Sequence, residues 1–294
     1  MSLPRLRCFG PRIAPCGSGF PTGARGYPVR VEPAATTRVA VYRREVRADL
    51  PRVWENVYDW EHLPWLHRAA FSHIELDERA SWGWRARIGL APEQSGQEIL
   101  LELRTERDAG RYVSRTLEGP GAGTEIWTAL EPRGAHTGIE VTFCVPGVAS
   151  EKVAAVGAAF ERLYARLWDE DEAMMQRRTR ELSRSRAPAA LEARVEVGPL
   201  AGLLGSLPLA LDFAGERVRL VRLGDEVVAH SALCPHWLGP LGDAPLEEGC
   251  IRCPWHGYRF DVRTGASADG RRLRLSPAPR VEVDAEGMVA LVRP

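Results

Sequence analysis

The order of apolar and polar positions changes at about residue 38. "TRVAVYRREVRAD" (37–49) alternates as a strand does. In "LPRVWENVYDWEHLPWLH" (50–67), Trp54, Val57 and Tyr58 recur at helical spacing. Pro51 occupies a position permitted at a helix start, and Pro64 is expected to end or break that helix. Six alternating runs follow: "FSHIELDE", "WGWRARIGL", "QEILLELRTE", "RYVSRTLEG", "TEIWTALEP" and "GIEVTFCVP". Gly, Pro and polar turns separate them, which predicts an antiparallel meander. "GPGAG" (119–123) falls in one of these turns and reads as a loop, not as a dinucleotide-binding fingerprint. A long helix is predicted over roughly 150–184, with Ser150 as its N-cap.

The polar, small stretch "SRSRAPAALEA" (183–193) reads as a linker between domains. Beyond it come short β runs, "RVRLVRLGDEVVAH", "YRFDVRTG" and "RVEVDAEGMVALV", with hairpin turns at "RTG" and "AEG". The expected organisation is a disordered tail over 1–37, an α+β catalytic or ligand-binding domain over 38–182, the linker over 183–193, and an all-β domain over 194–294.

Composition narrows the function classes. The 294 residues include 39 basic and 39 acidic side chains, so no basic excess asks for nucleic acid or a membrane surface. No apolar run reaches the length of a bilayer span, and a cytoplasmic location is expected. Lys152 is the only lysine, which fits a GC-rich bacterial genome. The six cysteines, without a secretory signal, are expected to be reduced thiols or metal ligands rather than a disulfide framework.

Strand, short helices, six strands and a long last helix form a layout that resembles the START-like helix-grip fold. There a curved sheet wraps its C-terminal helix around a cavity. The local pattern "VWENVYDWEHLPW" is similar to one in polyketide-cyclase-like members of that superfamily.

The second domain carries the sharper motif, "CPHWLGPLGDAPLEEGCIRCPWHG". It reads Cys234-x-His236, then Cys253-x-x-His256. Two Cys-His pairs on separate β loops suit a [2Fe-2S] cluster with two thiolates on one iron and two imidazoles on the other. A Cys2His2 zinc site is the competing reading. The flanks resemble a Rieske domain of the oxygenase or ferredoxin type, since Pro240, Trp255 and Tyr258 stand where the cytochrome bc type has its extra cysteines and serine. "HWLG" stands where oxygenases have His-Arg-Gly, a departure that bears on the loop and not on the ligands. Cys250 is expected beside the cluster, and His230 as a support of its loop.

A Rieske cluster passes single electrons, so they need an acceptor. On the long helix, stepping about 100° per residue, Phe160, Tyr164, Leu167, Met174, Met175 and Leu182 form an apolar stripe. Asp171 falls near its centre, Glu170 at its edge, and Asp169 and Glu172 elsewhere. A buried acid is costly unless it is paired or metal-bound. Pairing with an arginine such as Arg178 is one explanation, and a metal shared with His62 and His67 is the other. Two histidines and a carboxylate on one face are the ligand set of non-haem Fe(II) oxygenases.

Here the chain resembles the Rieske non-haem iron oxygenases. Glu55, Asn56, Asp59, His62 and His67 follow that family's pattern in order, and "DEDEAMMQ" resembles its last-helix motif. The resemblance implies Fe(II) on His62, His67 and Asp171, Asn56 beside the iron, and Asp59 as the electron bridge between the two iron centres. It implies O2 and a small, largely apolar substrate, aromatic compounds included, hydroxylated or demethylated. It also implies a separate reductase or ferredoxin as donor, and a homotrimer. The domain order is reversed relative to that family, and the catalytic domain is short. The alternative is a helix-grip module for hydrophobic ligands fused to a Rieske electron carrier, without mononuclear iron.

Overall fold

The computed structural model describes residues 36–184 and 194–293. The tail expected over 1–37 lies almost wholly outside the described residues, as does most of the linker. The chain divides into two compact units at 176/177, inside the long helix rather than in the linker.

In the first unit, β1 (Thr36–Val46) leads into α1 (Leu50–Tyr58) and α2 (Leu63–Leu66). Six strands follow: β2 (Phe71–Ala80), β3 (Gly83–Leu90), β4 (Glu98–Glu106), β5 (Arg111–Glu118), β6 (Glu125–Arg133) and β7 (His136–Pro146). α3 (Val153–Ser183) closes the unit. The sheet is antiparallel throughout, in the order β1-β7-β6-β5-β4-β3-β2. Its inward residues, among them Trp84, Ile88 and Phe143, pack with Trp54 of α1 and Trp168 and Met175 of α3 in one core. This is the helix-grip arrangement.

Two local devices hold α3 against β1. Gly157 lets the backbones approach closely, since a Cβ there would lie 2.4 Å from the Val39 carbonyl oxygen. Glu172, 3% exposed, accepts from Arg44 Nη2 and Arg47 Nε, each at 2.5 Å, and from Gln176 Nε2 at 2.9 Å. Burial pushes the Glu172 carboxyl up, but Arg47 and Arg44 outweigh it and hold it below its ordinary range.

Asp49 caps α1, accepting from the Arg52 amide, and Pro51 sits in the first turn, where a proline is permitted, as expected. Several other local expectations are corrected. α1 ends by itself at Tyr58, and Pro64 opens α2 instead of ending a helix, because a proline needs no amide partner in a first turn. Ser150 caps nothing; it lies in a 3-10 turn and its hydroxyl meets Glu151. Leu182 is 52% exposed, beyond the part of α3 that the sheet covers. Cys144, expected as a reduced thiol, is disulfide-bonded. A cysteine count carries no information on which sulfurs are neighbours in space.

The second unit holds three small antiparallel sheets. They are β9 (Leu209–Phe213), β10 (Glu216–Leu223) and β11 (Glu226–Ser231); β12 (Leu246–Glu247), β13 (Cys250–Arg252) and β14 (Arg259–Asp261); and β8 (Arg194–Pro199), β15 (Arg280–Val283) and β16 (Met288–Val292). Leu220, Phe213, Val289 and Leu291 centre its core.

Candidate metal centres

The first constellation assembles inside the first unit. α1 runs out at Asp59, whose amide donates to the Asn56 carbonyl, and the chain turns so that His62 and His67 bracket α2. Both histidines are buried and face α3, with ring centroids 5.1 Å apart and planes at 73°. His67 Nε2 lies 3.0 Å, and His62 Nε2 3.4 Å, from Asp171 Oδ1. Asn56 Nδ2 donates to the same oxygen at 3.0 Å. One candidate ligand atom from each of His62, His67 and Asp171 falls within 4.8 Å of the others.

The outer nitrogens are also held. His62 Nδ1 lies 3.3 Å from Asp59 Oδ2, and His67 Nδ1 lies 2.6 Å from Glu170 Oε2. A carboxylate behind each imidazole fixes its orientation and raises its basicity, as behind metal-bound histidines. Burial drives the His62 pKa down, but hydrogen bonds to Asp171 and Asp59 outweigh it and lift the value to about 10. Burial raises the Asp171 pKa, and the charge of His67 with hydrogen bonds from both histidines outweighs that, holding it well below its ordinary value. The chain thus stores a carboxylate against imidazolium charge where two nitrogens and an oxygen converge. The donor set fits a divalent metal of the two-histidine, one-carboxylate kind.

The three side chains open on a cavity of about 290 Å3 between sheet and helix. Most of its wall is apolar, including Phe71, Trp84, Ile88, Leu101 and Phe160. Pro120 and Gly121 of the "GPGAG" turn line it as well.

The second constellation lies on two loops of the second unit that repeat one backbone pattern. The Cys234 amide donates to the Gly239 carbonyl and the Leu238 amide to the Cys234 carbonyl, both at 2.9 Å. The Cys253 amide donates to the Tyr258 carbonyl at 2.8 Å and the Gly257 amide to the Cys253 carbonyl at 2.9 Å. Leu238 (φ 62°) takes the left-handed position that Gly257 (φ 69°) takes in the other loop. The "HWLG" departure therefore leaves the loop path intact, at a cost of about 1 kcal/mol for a side chain in that region.

Cys234 and Cys253 are fully buried, His256 is buried and His236 half-buried. The imidazoles stand 4.5 Å apart between centroids, at 79°. Cys234 hydrogen-bonds to Cys253 and draws its thiol pKa below the ordinary value, against the opposing effect of burial and with help from His256. Two thiols and two imidazoles facing one another, one thiol already inclined to ionise, match the needs of a [2Fe-2S] cluster with mixed ligation. The Rieske [2Fe-2S] domain profile matches residues 194–277.

Residues 194–277 are a Rieske [2Fe-2S] domain. The domain is similar to the anthranilate 1,2-dioxygenase ferredoxin subunit of Burkholderia cepacia, 35% identical over 77 residues, 26% of this chain and 63% of that protein. It is also similar to the dicamba O-demethylase oxygenase component of Stenotrophomonas maltophilia, 39% identical over 59 residues, 20% of this chain and 17% of that protein. The chain thus spans less than two thirds of either relative. Its helix-grip unit aligns with the Zhui aromatase/cyclase from Streptomyces sp. R1128 at 15% identity and a TM-score of 0.42, over 49% of this chain and 96% of that one. A Rieske domain implies a [2Fe-2S] cluster and a part in electron transfer. No described helix is long and apolar enough to cross a membrane.

The remaining histidines take supporting places. His73 and His136 meet Glu98 and Glu45 near the surface. His230 is buried on β11, with Nδ1 2.8 Å from the Ser231 carbonyl, and burial lowers its pKa to about 4. Cys250, half-buried on β13, carries a free thiol. Sequence reasoning missed the carboxylate of Glu170 behind His67. Its place at the stripe's edge, one residue before Asp171, was the available signal.

Proposed function

We propose that this chain is a Rieske-type mononuclear non-haem iron oxygenase with its electron-transfer domain placed last. The observation that carries this reading is the convergence of His62 Nε2, His67 Nε2 and Asp171 Oδ1, each imidazole backed by a carboxylate, at the wall of an apolar cavity. The similarity of the Rieske domain to components of oxygenase systems supports it.

Fe(II) held by these three residues supplies O2 activation when bound. The other roles belong to the chain. Asp59 and Glu170 accept from Nδ1–H and so leave Nε2 of each imidazole as the ligand atom. Asn56 holds Asp171 Oδ1, and the cavity wall excludes water from a small, largely apolar substrate. Cys234, His236, Cys253 and His256 hold the cluster, which receives electrons from a separate reductase or ferredoxin. Asp59 is the relay residue beside His62. Hydroxylation and demethylation are both reactions of this class.

The second reading is a hydrophobic-ligand module fused to an electron carrier. Asp171 favours it in one respect, because Asn56 and two histidines already compensate its buried charge without a metal. Iron content after anaerobic reconstitution separates the two. About three iron atoms per chain support the oxygenase, and about two support the carrier. His62→Ala with His67→Ala lowers the count by about one and leaves the Rieske absorption spectrum unchanged. If iron content were the same in this variant as in the wild type, the triad would be wrong.

A further inference from the structure

Away from the end formed by Asn56, Asp59, His62, His67 and Asp171, the sheet wall of the cavity is apolar except along β5 and at Thr124. That strand sends Tyr112, Ser114 and Thr116 into it, every second residue, while Val113 packs on the other face with Trp127 and Cys144. Ser114 is paired across the sheet with Leu103 and Ile126, and Thr116 with Leu101, so the hydroxyls form a narrow polar strip between apolar rails. Thr124, at the end of the "GPGAG" turn, extends it, and its carbonyl accepts from the Thr116 amide at 3.0 Å. Across the cavity α3 presents Tyr164, seven residues before Asp171 and on the same face of the helix. Among the described residues, neither the Ser114 and Thr116 hydroxyls nor the Tyr164 phenol has a hydrogen-bond partner.

A cavity meant for a plain hydrocarbon has no use for such groups, since polar groups in an apolar pocket fix orientation and specificity. Residues two apart on a strand repeat at about 7 Å. Two ligand oxygens on one edge, about 7 Å apart, would meet Ser114 and Thr116 together. The rails would clasp the ring faces, and Tyr164 would face the opposite edge.

We infer that the cavity takes a ring compound oxygenated along one edge, a phenol or ketone with two such oxygens, laid along β5 from the Asp171 end toward the "GPGAG" turn. This rests on the reading of the cavity as the substrate site, and it makes Ser114 and Thr116 the residues that choose the substrate.

Binding of two isomers to the full chain tests it. 2,7-Dihydroxynaphthalene has both hydroxyls on one long edge; 2,6-dihydroxynaphthalene, equally polar, has them on opposite edges. Titration calorimetry is expected to show the 2,7 isomer binding about tenfold more tightly, the effect of one or two net hydrogen bonds. The double variant Ser114→Ala, Thr116→Val is expected to lose that preference while still binding naphthalene as the wild type does. Equal binding of the isomers by the wild type overturns the inference, as does a preference that survives in the variant. Iron content measured on the same samples keeps the two proposals apart. A chain with about two irons that still prefers the 2,7 isomer loses the oxygenase reading and keeps this one.

Discussion

His67 Nε2 lies 3.0 Å from Asp171 Oδ1, although 104 positions separate the two residues in the chain. This contact closes the candidate iron site. One partner comes from the α2 turn and the other from α3, so neither element can hold a metal alone. Asp171→Ala is expected to remove one ligand and the common partner of both histidines. The variant should bind about one iron less per chain while keeping the Rieske cluster. Iron analysis beside the visible spectrum checks this. Loss of both centres together would point to misfolding rather than to a ligand role.

The carboxylates behind the imidazoles give a graded prediction. Glu170→Gln and Asp59→Asn keep size and hydrogen bonding but remove charge. Each is expected to weaken Fe(II) binding at the triad by 10- to 100-fold, roughly the usual effect of such partners, with cluster content unchanged. Anaerobic competition against a calibrated chelator measures it. Unaltered affinity in both variants would show that the outer carboxylates do not support a metal.

The protonation state of His62 makes metal uptake pH-dependent. With its pKa raised to about 10, His62 carries a proton at neutral pH that a metal must displace. Apparent Fe(II) affinity at the triad should therefore rise by about tenfold per pH unit between pH 6.5 and 8.5. A pH-independent affinity would contradict a charged His62.

The same shifts set the stability of the metal-free first unit. For His62 the folded value lies above the ordinary 6.5, so its contribution is complete below pH 6.5 and is lost as pH rises toward 10. For Asp171 the folded value lies below the ordinary 3.8, so its contribution is present above that pH and is lost on further acidification. Chelator-treated protein should therefore show its highest melting temperature between about pH 4 and 6.5. A maximum in calorimetric scans well above pH 8 would contradict the raised His62 value.

Glu172 tests a purely structural link. Glu172→Ala leaves Arg44 and Arg47 without their shared carboxylate where α3 meets β1. The expected cost is about 2 kcal/mol, below the figure for a wholly buried pair because Arg47 is solvent-screened. Urea unfolding measures it, and a change under about 0.5 kcal/mol would mean the pair contributes little.

The cluster ligands were legible in the sequence because each Cys-His pair lies within one tight loop. Their spacing is a local property, and the paired loops Cys234–Gly239 and Cys253–Tyr258 keep it. Asp171 was legible by helical phase, since one residue's step of rotation separates buried from exposed. Glu172 was not, because phase says which way a side chain points and not what waits there. It points away from the cavity, yet Arg44 and Arg47 meet it and it is buried. The facing of β5 was hidden for a related reason. Val113 is buried on one side and Ser114 and Thr116 line the cavity on the other, so alternation alone does not tell inside from outside.

Local order in the chain determined the strands, the long helix and the four cluster ligands, because backbone periodicity and loop geometry act over a few residues. Only the tertiary structure decided that Glu170 stands behind the imidazole of His67 and that β5 turns its hydroxyls inward. Those are relations between elements far apart in sequence, set by how sheet and helix pack around a shared cavity.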